Sequence, residues 1–209
     1  MLVQEIIKMP SKKFKIIFAE AENLILYSGE IRKYHLKEGE EIPEEVYRDI
    51  YYNVVGKRAK KRALYLLEKM DRTEKSLKDK LLQNGYPDKL AEEAVAYVKS
   101  YHYVDDLRYA KNYIRCYQTK KSAGKLKMDL LMKGIEKDTI QKALEEEFDR
   151  NETEMIHNIL EKKGYFLKEP DLAEQRRMYQ FLLRRGYRSA DILQVMKCAA
   201  LKGKNNSHK

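Results

Sequence analysis

Lysine and arginine side chains that could bind a polyanion fall into three clusters along this chain, and Arg72 lies between the first two. The clusters are Lys57, Arg58, Lys60, Lys61 and Arg62; Lys120, Lys121, Lys125 and Lys127; and Arg176, Arg177, Arg184, Arg185 and Arg188. Residues 58–209 hold 34 basic and 23 acidic side chains, a net of +11, whereas residues 1–57 hold 9 and 10, a net of −1, so all of the excess positive charge of this +10 chain lies in the larger part. Such charge suits the phosphates of a nucleic acid or a nucleoprotein, although a solvated helical surface has the same composition.

Side chains that could support catalysis or hold a cofactor do not come together in the sequence. Ser122–Lys125 contains a Gly-Lys pair but lacks the upstream glycine and the following hydroxyl residue of a phosphate-binding loop. The acidic pair Asp105 and Asp106 precedes a predicted helix, where carboxylates commonly act as caps. Cys116 and Cys198 form no cluster with histidine. We therefore expect a protein that is not an enzyme and that uses no cofactor and no metal.

One apolar phrase occurs three times, as Leu81–Tyr86, Leu130–Ile135 and Leu182–Tyr187. In each phrase an apolar helix end is followed by a glycine, which can adopt a positive φ, and then by a new helix. The three glycines are 49 and 52 residues apart. A recurrence at this period predicts a mainly α protein, built of tandem helical repeats in an elongated array.

The residues before the repeats have a β-prone pattern. Phe14–Phe18 and Leu24–Tyr27 are short runs rich in β-branched and aromatic residues. Leu2–Ile7 and Ile31–Leu36 could each add a strand. We therefore predict a small N-terminal antiparallel β meander of three or four strands.

A helix is predicted from Pro43 to about residue 70, either as one long helix or as two nearly collinear ones interrupted at Gly56. Thr73 and Ser122 are predicted to cap later helices. In the predicted division, residues 1–42 form the β-rich segment, 43–57 start the connecting helix, 58–105, 106–150 and 151–201 form three three-helix repeats, and 202–209 form a disordered basic tail.

Tyrosines at helical spacing allow two interpretations. Tyr109, Tyr113 and Tyr117 lie at positions i, i+4 and i+8 of a predicted helix, where they could stack on nucleic-acid bases. At this spacing, half-buried packing with solvated hydroxyls is the favoured interpretation. In the preceding helix, Tyr101 is predicted to lie on the buried stripe with Val98.

No stretch of the sequence predicts a membrane span. The longest unbroken apolar runs are five residues, such as Ala63–Leu67 and Ala94–Val98, whereas a membrane helix needs about 20. Met1–Pro10 carries Glu5 and Lys8 and lacks the apolar core of a secretory signal. We expect a cytoplasmic protein that does not bind membranes.

Four phrases between about residue 58 and residue 196 together resemble the RecX family of recombination regulators. The phrases are Arg62-Ala63-Leu64-x-x-Leu67; Arg72-Thr73-x-x-x-Leu77 with Leu81, Gly85 and Tyr86; Tyr103-Val104-Asp105-Asp106-x-Arg108-Tyr109-Ala110; and Leu130-x-x-x-Gly134-Ile135 with Ile140, Ala143 and Leu144. The third phrase is the most specific, and the conjunction is more specific than any single phrase.

The resemblance implies three tandem three-helix repeats in an elongated, curved molecule. It also implies a monomer that binds RecA, the bacterial recombinase, as a filament on single-stranded DNA, with non-specific duplex binding as a further possibility. Such binding would inhibit ATP hydrolysis, strand exchange and filament growth, with roles in homologous recombination, DNA repair and the SOS response. Capping filament ends, filling the filament groove and displacing protomers are all compatible with it.

Two other functions remain open from the residues. The Leu-Leu-x-x-Gly-Tyr turns can mimic a helix-turn-helix motif, so a sequence-specific DNA-binding transcription regulator is the first alternative. A helical protein–protein adaptor that ignores DNA is the second. The repeated turn argues against a single recognition helix, because all three units share it.

Overall fold

The computed structural model describes residues 1–167 and 170–205. The chain divides into two compact units, Met1–Asp106 and Leu107–Lys209. Within the described ranges, no helix has both the length and the apolar character that a membrane span requires.

The first unit opens with a three-stranded antiparallel sheet of strands β1 (Val3–Met9), β2 (Lys13–Phe18) and β3 (Leu24–Tyr27), in that order. Ile16 at the centre of β2 pairs with Ile6 on one side and Leu24 on the other. One face of the sheet is apolar and buried, because side chains alternate between the two faces of a strand. The predicted β meander is thereby confirmed, with three strands.

The predicted additional strand at Ile31–Leu36 is wrong, because helix α1 (Ser28–Lys33) forms directly after β3. The Glu30 carboxylate accepts a hydrogen bond of 2.8 Å from the backbone N–H of Tyr27 and so stabilises the start of this helix. Ser28 and Gly29 therefore begin a helix rather than a turn between strands. The carboxylate also lies near the positive end of the helix dipole.

Helix α2 (Glu44–Arg48), a π-helical segment (Asp49–Gly56) and helix α3 (Lys57–Lys69) follow one another without a break. Gly56 does not interrupt this run. It is buried, and a Cβ added to it would lie 3.3 Å from Cδ2 of Leu90. The run is thus the single long helical element that the apolar spacing predicted, with its middle turns widened.

Further helices complete three consecutive triplets, which confirm the predicted helical repeats. The triplets are α3 with α4 (Glu74–Gln83) and α5 (Asp88–Ser100); α6 (Asp106–Tyr117), α7 (Ala123–Met132) and α8 (Lys137–Glu147); and α9 (Glu152–Lys162), α10 (Leu172–Arg184) and α11 (Ser189–Asn205). Helix α11 extends to Asn205, so the first residues of the predicted tail 202–209 are helical. Residues 206–209 of that tail lie outside the described residues.

Each triplet buries a small apolar core of its own. Typical members are Ala63, Leu77, Leu81, Ala94 and Val98 in the first; Ala110, Ile114, Leu126, Leu130 and Ile140 in the second; and Ile156, Leu160, Leu182 and Ile192 in the third. Burial of these side chains supplies the main stabilisation of each repeat.

The three recurring glycines adopt nearly the same conformation. Gly85, Gly134 and Gly186 have φ values of +83°, +85° and +82°. The N–H of the residue after each glycine donates to the carbonyl five positions earlier, at 3.3, 3.2 and 3.3 Å. This geometry closes the preceding helix, and it favours glycine because a side chain is strained at positive φ.

Candidate nucleic-acid interface

Arg58 of the first basic cluster is engaged inside the first unit. Its Nη1 donates to both carboxylate oxygens of Glu30, at 3.1 and 3.0 Å, and its Nη2 donates to the backbone carbonyl of Ile25. The guanidinium also lies 4.8 Å from the centre of the Tyr27 ring. Arg58 therefore joins α3 to β3 and α1, and little of it is left for a phosphate.

The lysines of the same cluster have a different environment. Lys57 and Lys61 are exposed on α3, and Lys60 places its ammonium 5.2 Å from the centre of the Tyr97 ring. Among the residues that the structure describes, these three lysines form no ion pair. They are the part of the first cluster best placed to meet a polyanion.

Arg62 and Arg72 are both half-buried. Arg62 donates to the side-chain oxygen of Asn84 at 3.3 Å, and its guanidinium lies 5.1 Å from the centre of the Tyr65 ring. The Nε of Arg72 is buried and has no hydrogen-bond partner within the described ranges. Both side chains are thus more enclosed than solvated surface arginines.

In the second cluster, Lys121 and Lys125 neutralise a buried carboxylate. The Lys121 ammonium donates to Oδ2 of Asp129 at 2.7 Å and to the Tyr113 hydroxyl at 2.8 Å. Lys125 lies 2.9 Å from the other oxygen of Asp129. These two lysines are therefore structural, which leaves Lys120 and Lys127 as the cations of this cluster without an ion pair in the described residues.

The electrostatics of Asp129 follow from this network. Burial opposes ionisation of the carboxyl group, but hydrogen bonds from Lys121, Lys125 and Tyr113 outweigh it and hold the pKa of Asp129 below its ordinary value. The same contacts raise the pKa of Lys121, chiefly through the hydrogen bond to Asp129. Both groups are therefore charged at neutral pH, and each offsets the other.

The tyrosine stripe of α6 packs against itself and against lysines. The Tyr109 and Tyr113 rings are nearly parallel at 6.5 Å, and the Tyr113 and Tyr117 rings are 4.6 Å apart. Lys121 covers Tyr113 and Tyr117, and Lys133 covers Tyr109 and Tyr113. Tyr109 and Tyr113 are half-buried. This geometry supports packing rather than base stacking for Tyr109 and Tyr113, whereas Tyr117 is exposed.

The third cluster also contains both engaged and open cations. Arg188 lies 3.0 Å from Asp191 and 4.0 Å from Glu152. Arg176, Arg177, Arg184 and Arg185 are exposed, and Arg177 approaches Glu174 only to 3.8 Å.

The turn after α10 contacts the start of α7 within the second unit. The Ser122 hydroxyl donates to the carbonyl of Arg185 at 2.6 Å, and its oxygen accepts the N–H of Lys125 as the predicted cap. Gly124 packs so closely that an added Cβ would lie 2.2 Å from the carbonyl oxygen of Gly186. The backbone segments that carry the second and third basic clusters therefore meet, although the sequence showed them only as one cluster per repeat.

We call the exposed cations at this contact, or next to it in the sequence, the junction surface: Lys120, Lys163, Arg184 and Arg185. Lys163 and Arg185 each lie 4.6 Å from the centre of the Phe181 ring, so these two like charges lie against the same ring. No member of the surface has an ion pair within the described part of the chain. Sequence reasoning missed Lys163, because only the fold brings α9 beside the turn after α10.

Carboxylates at two helix starts make the same hydrogen bond in the two units. Asp106, the first residue of α6, accepts the N–H of Glu74 at 2.9 Å, and Glu152, the first residue of α9, accepts the N–H of Ala123 at 2.9 Å. Burial raises the pKa of both Asp106 and Glu152. Either Asp105 or Asp106 was expected to cap α6, and of the two the Asp106 carboxylate accepts its hydrogen bond at the start of α4 instead.

The predicted burial of Tyr101 is wrong. Its predicted stripe partner Val98 is buried, but Tyr101 itself is 59% exposed and contacts two further exposed tyrosines, Tyr97 and Tyr103. The reason is local, because α5 ends at Ser100 and the helical spacing no longer applies to the next residue. The Tyr-x-x-x-Tyr-x-Tyr spacing across a helix end was the available signal.

Fold and surface together define a class: a basic protein of three-helix repeats behind a small antiparallel sheet. Three family models match the repeats in order, described as the first (residues 59–97), second (residues 105–144) and third (residues 151–196) three-helix domains of RecX. The chain belongs to the RecX family of regulatory proteins, as its sequence motifs predicted.

Curated relatives agree with this assignment, and solved structures show the same fold. Regulatory protein RecX of Caldanaerobacter subterraneus subsp. tengcongensis is 34% identical over 166 residues, which cover 78% of this chain and 84% of the relative. The RecX protein of Clostridium beijerinckii is 29% identical, with 87% of each chain covered. A crystal structure of regulatory protein RecX has a TM-score of 0.64 at 20% identity, covering 94% of this chain and all of that chain. RecX from Lactobacillus salivarius gives 0.61 at 23% identity, covering 70% of this chain and 97% of its own, and both structures show the shared fold.

Proposed function

We propose that this chain regulates RecA, the bacterial recombinase, by binding the RecA filament on single-stranded DNA. Binding would limit ATP hydrolysis, strand exchange and filament extension. The observation that carries the proposal is the junction surface: Lys163 and Arg185 lie against one aromatic ring, beside the contact between the turn after α10 and the start of α7, and no member of the surface forms an ion pair within the described residues. Membership of the RecX family is the reason for proposing the recombinase as the partner.

The predicted binding residues now divide into two groups. Cations that are open to a polyanion are Lys57, Lys60, Lys61, Lys120, Lys127, Arg176, Arg184 and Arg185, and Arg177 is exposed but pairs with Glu174 at 3.8 Å. Arg58, Arg62, Arg72, Lys121, Lys125 and Arg188 are engaged or enclosed within the fold. An extended set of open cations suits a periodic acidic partner such as a filament better than a small ligand.

Binding measured side by side tests this function. Random single-stranded DNA, random duplex DNA and recombinase filaments on single-stranded DNA would each be titrated with the wild-type protein. We expect the tightest binding to the filaments. Tightest binding to one duplex sequence would instead indicate a transcription regulator, and binding that ignores DNA would indicate an adaptor; either would contradict the proposal.

A charge-reversal pair tests the surface itself. Arg184→Glu with Arg185→Glu should weaken filament binding and flatten its dependence on salt, since each lost phosphate contact lowers the slope by roughly 1. Lys8→Glu with Lys15→Glu is the matched control, because both lysines are exposed on the sheet and the net charge changes equally. Equal effects of the two pairs would show that only net charge matters.

A further inference from the structure

Three exposed tyrosine rings lie together where α5 ends. Tyr97 is 37% exposed, Tyr101 59% and Tyr103 54%. The rings of Tyr97 and Tyr101 have centres 5.1 Å apart, and those of Tyr101 and Tyr103 have centres 6.3 Å apart with 29° between their planes. Contiguous exposed aromatic surface of this kind commonly marks a binding site.

The backbone holds these rings in place. Tyr97 lies in the last turn of α5, and the chain reverses through His102, which has a φ of +57°. The N–H of Tyr103 then donates to the carbonyl of Val98 at 3.1 Å, and Val104 is buried in the core of the first repeat. The rings are therefore presented by a fixed turn rather than by a loose loop.

Positive charge lies beside the rings. The ammonium of Lys60 is 5.2 Å from the centre of the Tyr97 ring, and Lys57 and Lys61 are exposed on the adjoining turn of α3. Single-stranded nucleic acids are bound without sequence preference by this combination, in which aromatic rings stack on bases and cations follow the phosphates. A purely apolar protein partner would not require the cations.

We propose that Tyr97, Tyr101 and Tyr103 form a stacking platform for the bases of single-stranded nucleic acid, with Lys60 beside it for the phosphate backbone. The platform is separate from the junction surface, which consists of cations of the second unit. This proposal depends on the proposed function only in naming the strand as the single-stranded DNA of the recombinase filament. Binding to an isolated oligonucleotide does not require the recombinase. Tyr109 and Tyr113 of α6 are less suited to this role, because they are half-buried whereas Tyr101 and Tyr103 are more than half exposed.

If the platform stacks on bases, loss of the Tyr101 ring should weaken binding only to an oligonucleotide that carries bases. Wild-type protein, Tyr101→Ala and Tyr101→Phe would be titrated against a thymidine oligonucleotide and against an abasic oligonucleotide of equal length. Tyr101→Ala should weaken thymidine binding by roughly 5- to 100-fold, the range expected for loss of one base–aromatic stack. Tyr101→Phe keeps the ring and should bind within about two-fold of wild type. All three proteins should bind the abasic strand equally.

A fluorescent reporter gives a second readout. The chain contains no tryptophan, so Tyr101→Trp introduces a single indole at the platform. Thymidine oligonucleotide should quench its fluorescence by stacking, whereas the abasic strand should not. Because Tyr101 is mostly exposed, these variants should unfold at the wild-type temperature, and that measurement accompanies each titration.

Other outcomes would overturn the platform. Equal thymidine affinity of wild type and Tyr101→Ala would show that no base stacks there. Loss of filament binding in Tyr101→Ala without loss of oligonucleotide binding would assign the rings to a protein contact. Either result could occur while the wild-type protein still inhibits recombinase ATP turnover, so failure of the platform is distinguishable from failure of the proposed function.

Discussion

The turns at Gly85 and Gly186 have the same local geometry but different neighbours. A Cβ added to Gly85 would lie 2.2 Å from Cδ1 of Ile25, a flexible side chain of β3. A Cβ added to Gly186 would lie 2.5 Å from the backbone nitrogen of Lys125 and 2.9 Å from the backbone carbon of Gly124. The sheet thus packs on the turn of the first repeat, as the start of α7 packs on the turn of the third. A side chain can yield, but a helix backbone cannot.

The largest expected effect is at the backbone contact. Gly186→Ala combines strain at positive φ with overlap against α7, and it should lower the free energy of unfolding by about 3 kcal/mol. Chemical denaturation would measure the loss. Gly29→Ala is the control, since Gly29 has open space around it and its φ is not positive, and that variant should lose nothing. An equal loss of stability in Gly186→Ala and Gly29→Ala would show that the backbone contact does not limit position 186.

The ion network of the second unit should give the next largest effect. Asp129 lies five residues before the repeated glycine Gly134. The equivalent position in the first repeat is Lys80, five residues before Gly85, so the first repeat lacks this carboxylate. Asp129→Asn should lower the free energy of unfolding at neutral pH by about 2 kcal/mol, because it leaves Lys121 without its charged partner. The lowered pKa of Asp129 means that its stabilisation is present above the ordinary carboxyl pKa and is lost as pH falls through the folded pKa. Denaturation curves of both proteins should therefore converge in acid.

A smaller loss is expected at Gly85. Gly85→Ala carries the same positive-φ strain, but Ile25 can move aside, so the loss should be about 1–2 kcal/mol. Ile25→Val removes the colliding Cδ1 atom and should recover part of that loss in the double variant. A double-mutant cycle measures the coupling. If the double variant recovers no stability, the contact between the Gly85 turn and Ile25 of the sheet is not what destabilises Gly85→Ala.

The smallest expected effect concerns the carboxylates that both units place at a helix start. Burial raises the pKa of Glu152, so ionisation costs stability, and the stability present at low pH declines as pH rises through the folded pKa. Glu152→Gln keeps an oxygen for the Ala123 N–H and removes this cost, for a gain of less than about 1 kcal/mol at neutral pH. Thermal unfolding at several pH values should show the gain at neutral pH and its disappearance in acid.

Local signals made much of the fold predictable. The repeated glycine phrase and the apolar spacing identified the turns and cores, and Thr73 and Ser122 cap their helices as expected. Local rules failed where two tendencies competed, as after β3, where Glu30 stabilises a helix in place of a strand. They also failed at Tyr101, which lies just past a helix end.

The candidate site was less predictable, because its chemistry depends on distant partners. Charge clustering identified the basic residues but could not separate Arg58, whose partner Glu30 lies 28 residues away, from the open lysines beside it. Likewise, the contact between Ser122 and Arg185 spans 63 residues. Only the packing of helices decides which cations are neutralised and which remain open.

The most direct test of the central claim is ATP turnover by the recombinase on single-stranded DNA, with this protein added well below the concentration of DNA sites. We predict that wild type and Lys8→Glu/Lys15→Glu lower turnover at these ratios, and that Arg184→Glu/Arg185→Glu does so much less. Inhibition at such ratios requires action at a few filament positions, whereas competition for bare DNA would need near-stoichiometric protein. Unchanged ATP turnover with the wild-type protein in excess would contradict regulation of the recombinase filament by this protein.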